Sequence, residues 1–218
     1  MGTGSDLSNS QCLIDVSDSS SSGSGNDLTL TLDVEFDASY EGAQPIYARV
    51  EDSQAQQDGW DQIGTYTVDN GANDPPSIVS VTPTGNTGLR QIFSFVYSDP
   101  DGYADIDQVR ADIAVDSELA NACYFRFTQA TNELILSDDD HSFLLGPSVI
   151  GTGSDLANSQ CTIHVATSSV SGSGNNLTLN VDIEFDTGYA GLKGIYAWMK
   201  DYAPLTDGWE QIGTWTVP

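Results

Sequence analysis

Four carboxylates stand close together in the chain, and side chains of this kind bind divalent cations. The segment 99–107 places Asp99, Asp101, Asp105 and Asp107 around a glycine-bearing turn. Calcium takes about six to eight oxygen ligands from flexible carboxylates and carbonyls, so such a loop supplies much of a coordination shell. The spacing differs from an EF-hand loop, and a solvated acidic turn has the same composition. The sequence predicts a Ca²⁺ site here, with a solvated turn as the alternative.

Two aromatic side chains offer a second kind of chemistry, the stacking of rings on sugars. In the segment 195–199, alternation puts Ile195 and Met199 on the inward face of a strand, and Tyr196 and Trp198 on the outward face. An outward Tyr and Trp pair stacks on carbohydrate or packs against a neighbouring domain. A carbohydrate-binding module is therefore the alternative function.

Catalytic chemistry has no comparable signature. The two histidines are His141, in an acidic loop, and His164, at an outward strand position. The serine-rich runs 17–24 and 167–173 are predicted to form hairpin loops, and no GxSxG nucleophile elbow accompanies them. The sequence also lacks the phosphate-loop, dinucleotide and HExxH motifs. We therefore expect a protein that is not an enzyme.

An internal repeat organises the chain. Residues 2–68 recur without gaps as residues 151–217, with about three positions in five identical. The middle segment, residues 69–150, occurs once. A complete unit is therefore the middle segment plus the second copy, and the first copy is half a unit. Because Met1 aligns with Ile150, inside a unit, we expect the chain to be a piece of a longer array.

The strands are marked by alternation of apolar and polar residues. In Leu177–Phe185 and its counterpart Leu28–Phe36 every second residue is apolar, which is typical of a strand with one buried face. Turn residues separate similar segments, and no helical period occurs. Further strands are predicted at 78–82, 91–98, 108–115, 122–128, 133–137, 160–165, 194–200 and 211–217. About nine short strands per unit predict an all-β fold, an antiparallel Ig-like β-sandwich with one complete unit plus a repeated half unit.

A cluster of turn formers divides the chain. The segment 69–76 contains Asn-Gly and ends in Pro75 and Pro76, which cannot continue a strand ladder. We expect a linker there, between a half Ig-like unit at 1–68 and a complete Ig-like domain at 77–218. One middle segment cannot cover two apolar halves, which favours pairing of the half unit with another chain, in a dimer or a filament.

The charge excludes two classes of partner. Asp and Glu number 32 against 6 Lys and Arg, so the formal net charge is -26. Such a field repels nucleic acid and anionic lipid surfaces. No apolar run approaches the length of about 18 residues that a membrane-spanning helix needs. We expect no nucleic-acid partner and no membrane span.

Several sequence blocks together resemble a bacterial immunoglobulin-like repeat, of the fibronectin type III kind, that occurs in tandem in large secreted surface proteins. They are PPSIVSVTP at 75–83, FSFVYSDPDGYADI at 93–106, ANACYFRF at 120–127, and NSQC, SGSGNNLTL and DGWEQIGTWTV in the second copy. The resemblance covers 75–217 as one unit and implies an extracellular, non-catalytic module. We expect a structural or adhesive role through self-association or contact with neighbouring repeats.

The cysteines agree with a secreted or cell-surface location. Cys123 and Cys161 are predicted on inward strand faces of the complete unit, which indicates a disulfide that joins its two parts; a pair of buried thiols is the alternative. Cys12 corresponds to Cys161 and has no second cysteine in its half unit. We expect it to be unpaired or to pair with another chain.

Overall fold

The computed structural model describes residues 4–116 and 119–218, and these residues form an all-β protein. Helical structure in these two ranges is limited to four 3₁₀ turns of three residues each, and none of their helices is long and apolar enough to cross a membrane. The chain divides into two compact units, Met1–Ala72 and Asn73–Pro218. The segment 69–76 has no regular secondary structure, and the division falls inside it. The first residues of the repeat, Gly2 and Thr3, lie outside the described residues.

The described part of the first unit contains five strands: β1 (Leu7–Ser8), β2 (Cys12–Ser24), β3 (Asp27–Phe36), β4 (Gly42–Ala48) and β5 (Asp61–Val68). They form two antiparallel sheets, one in the order β1-β2-β3 and the other the pair β4-β5. Among the described residues β3 and β4 each have a paired neighbour on one side alone. Each sheet of this unit therefore has an open edge at the strand that corresponds to a central strand of the second unit.

The second unit, over its described residues, contains thirteen strands: β6 (Ser77–Thr82), β7 (Asn86–Thr87), β8 (Arg90–Ser98), β9 (Ile106–Ala114), β10 (Cys123–Thr128), β11 (Glu133–Ser137), β12 (Leu144–Val149), β13 (Leu156–Ala157), β14 (Cys161–Ile163), β15 (Ser169–Ser173), β16 (Asn176–Phe185), β17 (Gly191–Asp201) and β18 (Thr206–Val217). One sheet has the order β12-β11-β10-β9-β17-β18-β7. The other has the order β13-β14-β16-β8-β6, with β15 also paired to β16. The pairs are antiparallel except the short β18–β7 pair.

Both sheets of the second unit contribute to one hydrophobic core. Alternation along β8 buries Phe93, Phe95 and Tyr97 completely. Phe95 meets Phe125 of the other sheet edge to face at 5.7 Å, and Phe93 meets Trp215 at 5.1 Å. The aromatic side chains of β8 therefore fill the space between the two sheets.

The two copies of the repeat keep the same strand register. Cys12 pairs with Phe36 as Cys161 pairs with Phe185. The β4–β5 pair also matches β17–β18, down to the register shift that follows Ile46 in one and Ile195 in the other. Similar local sequence thus gives the same core register within each copy.

The prediction that the serine-rich runs are hairpin loops is wrong. Residues 17–24 lie in β2, and Ser169–Ser173 form β15. The turns come after these runs, at Gly25 and Gly174, whose φ angles are +60° and +56°. Because cross-strand hydrogen bonds satisfy the backbone, small polar side chains are tolerated in an exposed hairpin arm, whereas the positive φ favours glycine.

The predicted disulfide is present. Cys123 in β10 and Cys161 in β14 are bonded, and both are buried. Since β10 and β14 belong to different sheets, the bond ties the two sheets together. Cys12, the counterpart of Cys161, is a free, half-buried cysteine.

Replacing both bonded cysteines, Cys123→Ala with Cys161→Ala, should lower the free energy of unfolding by about 4 kcal/mol, because a cross-link over a loop of this length removes entropy from the unfolded chain. The bond spans 38 positions of the sequence. Urea unfolding followed by tryptophan fluorescence measures the change. The control Cys12→Ala should cost less than about 1 kcal/mol. An equal loss in both variants would show that the disulfide is not the cause.

Candidate functional site

A tight turn after β8 holds one aspartate inside the second unit. Asp99 follows the last residue of β8, its Oδ1 accepts a hydrogen bond from the backbone N–H of Asp101 at 2.9 Å, and its carbonyl accepts one from Gly102. Gly102 has a φ of +108°, a conformation that favours glycine. The turn leads through a 3₁₀ segment, Tyr103–Asp105, into β9. The local sequence therefore places Asp99 and Asp105 at the two ends of one compact turn.

A third aspartate arrives from the neighbouring strand. Asp201 is the last residue of β17, which pairs with β9 so that Asp201 lies opposite Ile106. One carboxylate oxygen from each of Asp99, Asp105 and Asp201 lies within 4.8 Å of the other two. The group, called the triaspartate cluster below, could hold a metal ion.

The triaspartate cluster contains carboxylate oxygens without protein partners. Asp99 is fully buried, and its Oδ2 has no hydrogen-bond partner among the described residues; the same holds for the buried Oδ2 of Asp105. Asp201, also fully buried, accepts hydrogen bonds from the N–H of Leu205 and from Nδ2 of Asn73, both at 2.8 Å. A buried carboxylate without a partner is costly unless it is protonated or binds a cation.

Burial and mutual repulsion raise the pKa values of Asp99 and Asp105. Desolvation raises the pKa of Asp99, and the charges of Asp105, Asp101 and Asp201 raise it further. Desolvation also raises the pKa of Asp105, with added repulsion from Asp201 and Asp101. A bound divalent cation would lower the pKa of both carboxyls, since it stabilises the ionised form.

The structure brings together two of the four residues that the acidic motif suggests. Asp99 and Asp105 belong to the cluster, whereas Oδ2 of Asp101 accepts a hydrogen bond from the N–H of Asp74 at 2.7 Å. Asp107 forms an ion pair with Lys200. The motif does not reveal Asp201, because it lies far along the chain and only the β9–β17 register brings it near.

The half unit exposes the strand face that its counterpart buries. Leu28, Leu30 and Leu32 of β3 are 75%, 52% and 43% exposed. Their counterparts in β16, Leu177, Leu179 and Val181, are 2%, 0% and 0% exposed. Since the two strands share their pattern and register, the difference comes from what covers them. In the second unit this face of β16 packs against the other sheet across the shared core, and β8 lies beside β16 in the same sheet. The half unit has no counterpart of β8, β9 or β10 among the described residues.

The outward aromatic residues lie as expected on the face of β17 that points away from the core, where both are half-buried. The guanidinium of Arg110 lies 4.0 Å from the ring centre of Trp198 and covers one face of it. The ring of Tyr196 lies over Gly194. The remaining ring faces are what a sugar could contact, so carbohydrate binding stays a prediction.

A serine and a histidine come together at a place unsuited to nucleophilic attack. Oγ of Ser137 lies 2.8 Å from Nδ1 of His141, a pair that the sequence did not indicate. Ser137 is buried, so its hydroxyl does not face solvent. His164 contacts Asp155 at 2.8 Å and Glu184 at 3.0 Å, and these contacts occupy both of its ring nitrogens. Catalysis is therefore not a function that these contacts favour.

Comparison with protein-family models, curated proteins and solved structures finds no match for this chain.

Without metal, acidification from about pH 7 to about pH 4 should strengthen the folded state through three carboxyls, because a folded pKa above the ordinary value gives stability that is lost as the pH rises. They are Asp99, Asp105 and Asp112. Burial and the charge of Asp116 raise the pKa of Asp112 to about 7. Urea unfolding in EDTA at stepped pH measures this. Asp112→Asn should flatten the profile up to about pH 7, and Asp99→Asn should reduce its slope above the ordinary pKa of an aspartate.

The control for the pH profile is Asp27→Asn, since Asp27 is exposed and its counterpart in the second copy is Asn176. This variant should follow the parent at every pH. If Asp112→Asn gives the parent's profile as well, the ionisation of Asp112 is not linked to unfolding.

Proposed function

We propose that this chain is a non-catalytic, extracellular structural or adhesive module that assembles, through its half unit, with copies of itself or with neighbouring repeats. The observation that carries the proposal is the contrast between twin strands: β3 exposes the leucines that β16 buries. An exposed apolar face next to open sheet edges is a site where another chain adds. The acidic surface, with a net charge of -26, keeps such a module soluble until its partner covers that face.

The fold we propose for the complete unit is an Ig-like β-sandwich. Two antiparallel sheets share one core, and a buried disulfide joins a strand of one to a strand of the other. The chain crosses from one sheet to the other between β8 and β9 and again between β16 and β17. These features support the immunoglobulin-like architecture that the sequence resembles. A disulfide also favours an oxidising location, in a secreted or cell-surface protein.

The triaspartate cluster is the site that we propose for Ca²⁺. Its ligands are all oxygens, two of them buried without protein partners, and no Lys, Arg or His of the described residues forms an ion pair with the three carboxylates. Hard cations such as Ca²⁺ prefer oxygen ligands and accept the irregular geometry of a loop, with water filling the remaining positions. Bound calcium would brace the turn after β8 against the end of β17.

Calcium should raise the melting temperature of the second unit by about 5–10 °C when its free concentration is one hundred times Kd, because a ligand that binds only the folded state stabilises it. Calorimetry after EDTA treatment, at constant ionic strength, measures the shift. Asp99→Asn and Asp201→Asn should abolish it. Asp101→Asn, in the same loop but outside the cluster, should retain it. A melting temperature that does not respond to calcium in the parent protein would exclude the proposed cofactor.

The full chain should associate as its concentration rises, and the triple variant Leu28→Thr, Leu30→Thr, Leu32→Thr should stay monomeric, because the substitutions remove the apolar face. Sedimentation velocity measures both. The control is Leu192→Thr, which removes a leucine of the second unit that is 65% exposed and should associate like the parent. Identical sedimentation of parent and triple variant would contradict assembly through β3.

A further inference from the structure

Four features of the half unit have no partner among its described residues, whereas their counterparts in the complete unit contact the middle segment. The first is the strand edge itself. In the complete unit β16 pairs with β8 and β17 pairs with β9, whereas their counterparts β3 and β4 have no such neighbour among the described residues. The register puts Tyr97, Phe95 and Phe93 beside the strand positions that correspond to Leu28, Leu30 and Leu32. A strand with this alternation would fit the open edge of β3, with its apolar side chains beside the exposed leucines.

The second lost partner is a cation. In the complete unit Arg90 of β8 donates from Nε and Nη2 to the two oxygens of Asp182, at 3.0 and 2.8 Å, and lies 3.8 Å from Glu184. The half unit keeps both acids, as Asp33 and Glu35, and replaces His164 by another acid, Asp15. Arg49 is the one Lys or Arg in residues 1–72, and it pairs with Glu51. The outer face of β3 therefore has negative charge that a strand bearing arginine would neutralise.

The third missing partner is the pair of carboxylates that completes the triaspartate cluster. Asp52 corresponds to Asp201 and keeps its local geometry: Oδ1 of Asp52 accepts a hydrogen bond from the N–H of Gln56 at 2.9 Å, as Oδ1 of Asp201 does from Leu205 at 2.8 Å. The other two carboxylates of the cluster come from the turn between β8 and β9. The half unit thus retains one ligand position of a site whose remaining ligands lie in a middle segment.

The free cysteine lies in the same situation. A groove of about 260 Å³ runs along Cys12, Glu35 and Phe36, whereas the corresponding Cys161 is covered by its bond to Cys123 of the middle segment. A second copy of the half unit has no counterpart of Arg90, since Arg49 is its one Lys or Arg and pairs with Glu51, and it has no equivalent of the Asp99–Asp105 turn. The missing partner therefore has the features of a middle segment and not those of a second half unit.

The chain's own middle segment is a poor match for the first copy. Arg110 of β9 lies opposite Trp198 in the complete unit, and the counterpart of Trp198 is Arg49. Like charges opposite each other across strands destabilise the pair. Each chain has one middle segment and two copies of the repeated half. If two chains exchanged their middle segments, one half of each chain would still be uncovered. The matching segment is expected to place an acidic or aromatic residue opposite Arg49.

We propose that the half unit is completed by a β8–β9-type segment from outside these 218 residues, with arginine beside Asp33 and Glu35 and without arginine opposite Arg49. The inference rests on the proposed function, because it takes the half unit as the site of assembly. The partner is a two-strand segment that adds to β3 in one sheet and to β4 in the other. Sequence differences between the two copies would then select which repeat follows which.

The probe is a synthetic peptide of residues 88–115, which contains β8, the aspartate turn and β9, added to the full chain. We expect amide hydrogen exchange to slow in residues 27–36 and not in residues 176–185, which already have their partner. Anisotropy of the labelled peptide gives Kd. A peptide with Arg110→Glu should bind about fivefold more tightly than the unmodified one, and a peptide with Arg90→Glu about fivefold more weakly.

Charge reversal on the chain tests the arginine contact directly. Asp33→Arg should weaken binding of the unmodified peptide and restore binding of the peptide that carries Arg90→Glu. Asp27→Arg makes the same charge change at the other end of β3 and should alter both affinities equally. Protection of residues 27–36, together with the changes in affinity given above, supports the inference. Protection confined to residues 176–185 overturns it, because the peptide would then be replacing β8 in the complete unit.

Sedimentation of the same samples separates this inference from the proposed function. If the chain associates while the peptide leaves 27–36 unprotected, a second copy is the partner and the inference is overturned, although assembly stands. If the chain stays monomeric and the peptide protects 27–36, the inference stands and self-association fails. If the chain stays monomeric and the peptide leaves residues 27–36 unprotected, both the inference and the proposed self-association are contradicted.

Discussion

The pairing of β8 with β16 and of β9 with β17 is the interaction on which the rest of the complete unit depends. These two ladders join the middle segment to the second copy of the repeat, one ladder in each sheet. They satisfy the backbone hydrogen bonds along one edge each of β16 and β17. The β8–β16 ladder also places Tyr97, Phe95 and Phe93 beside Leu177, Leu179 and Val181 on the buried face of their sheet. Backbone hydrogen bonding and burial of apolar area are therefore provided by the same contact.

The local sites of the complete unit all follow from these two ladders. The β9–β17 register carries Asp201 to Asp99 and Asp105, and it stacks Arg110 on Trp198. The β8–β16 register brings Arg90 to Asp182, whose pKa is lowered mainly by the hydrogen bonds from that guanidinium. The disulfide adds a covalent tie between the same two parts, since Cys123 belongs to the middle segment and Cys161 to the repeated copy. The triaspartate cluster, the ion pair and the cross-link are thus three consequences of joining the two parts.

The first copy shows what remains when that contact is removed. Its strand register matches that of the second copy, although β2 is continuous where the second copy has β14, a 3₁₀ segment and β15. The hydroxyl of Ser19 bonds the backbone of Asp15 and Asp33 as that of Ser168 bonds His164 and Asp182. Its leucines are nevertheless exposed. Local structure in this repeat is therefore set within each copy, whereas burial depends on the middle segment. The change of Trp198 to Arg49 falls at a position that lies opposite a strand of the middle segment in the complete unit.

By itself the sequence determined the all-β class, most of the strands and the disulfide pair, because period-two alternation and inward cysteines are local signals. It also determined that one half lacks a cover, since a repeat count needs no coordinates. It did not determine β12, which contains Gly146 and Pro147, or the strands formed by the serine-rich runs. Pairing with a neighbour, rather than side-chain propensity, makes those segments strands.

Only the tertiary structure decided which acids form the cluster. The motif indicated Asp99 and Asp105 together with Asp101 and Asp107, yet a turn directs Asp101 to the backbone of Asp74, and Lys200 pairs with Asp107. Asp201 joins because two distant strands pair in one particular register. Composition shows that carboxylates are abundant, but the meeting of three of them away from water depends on contacts between residues far apart in the chain.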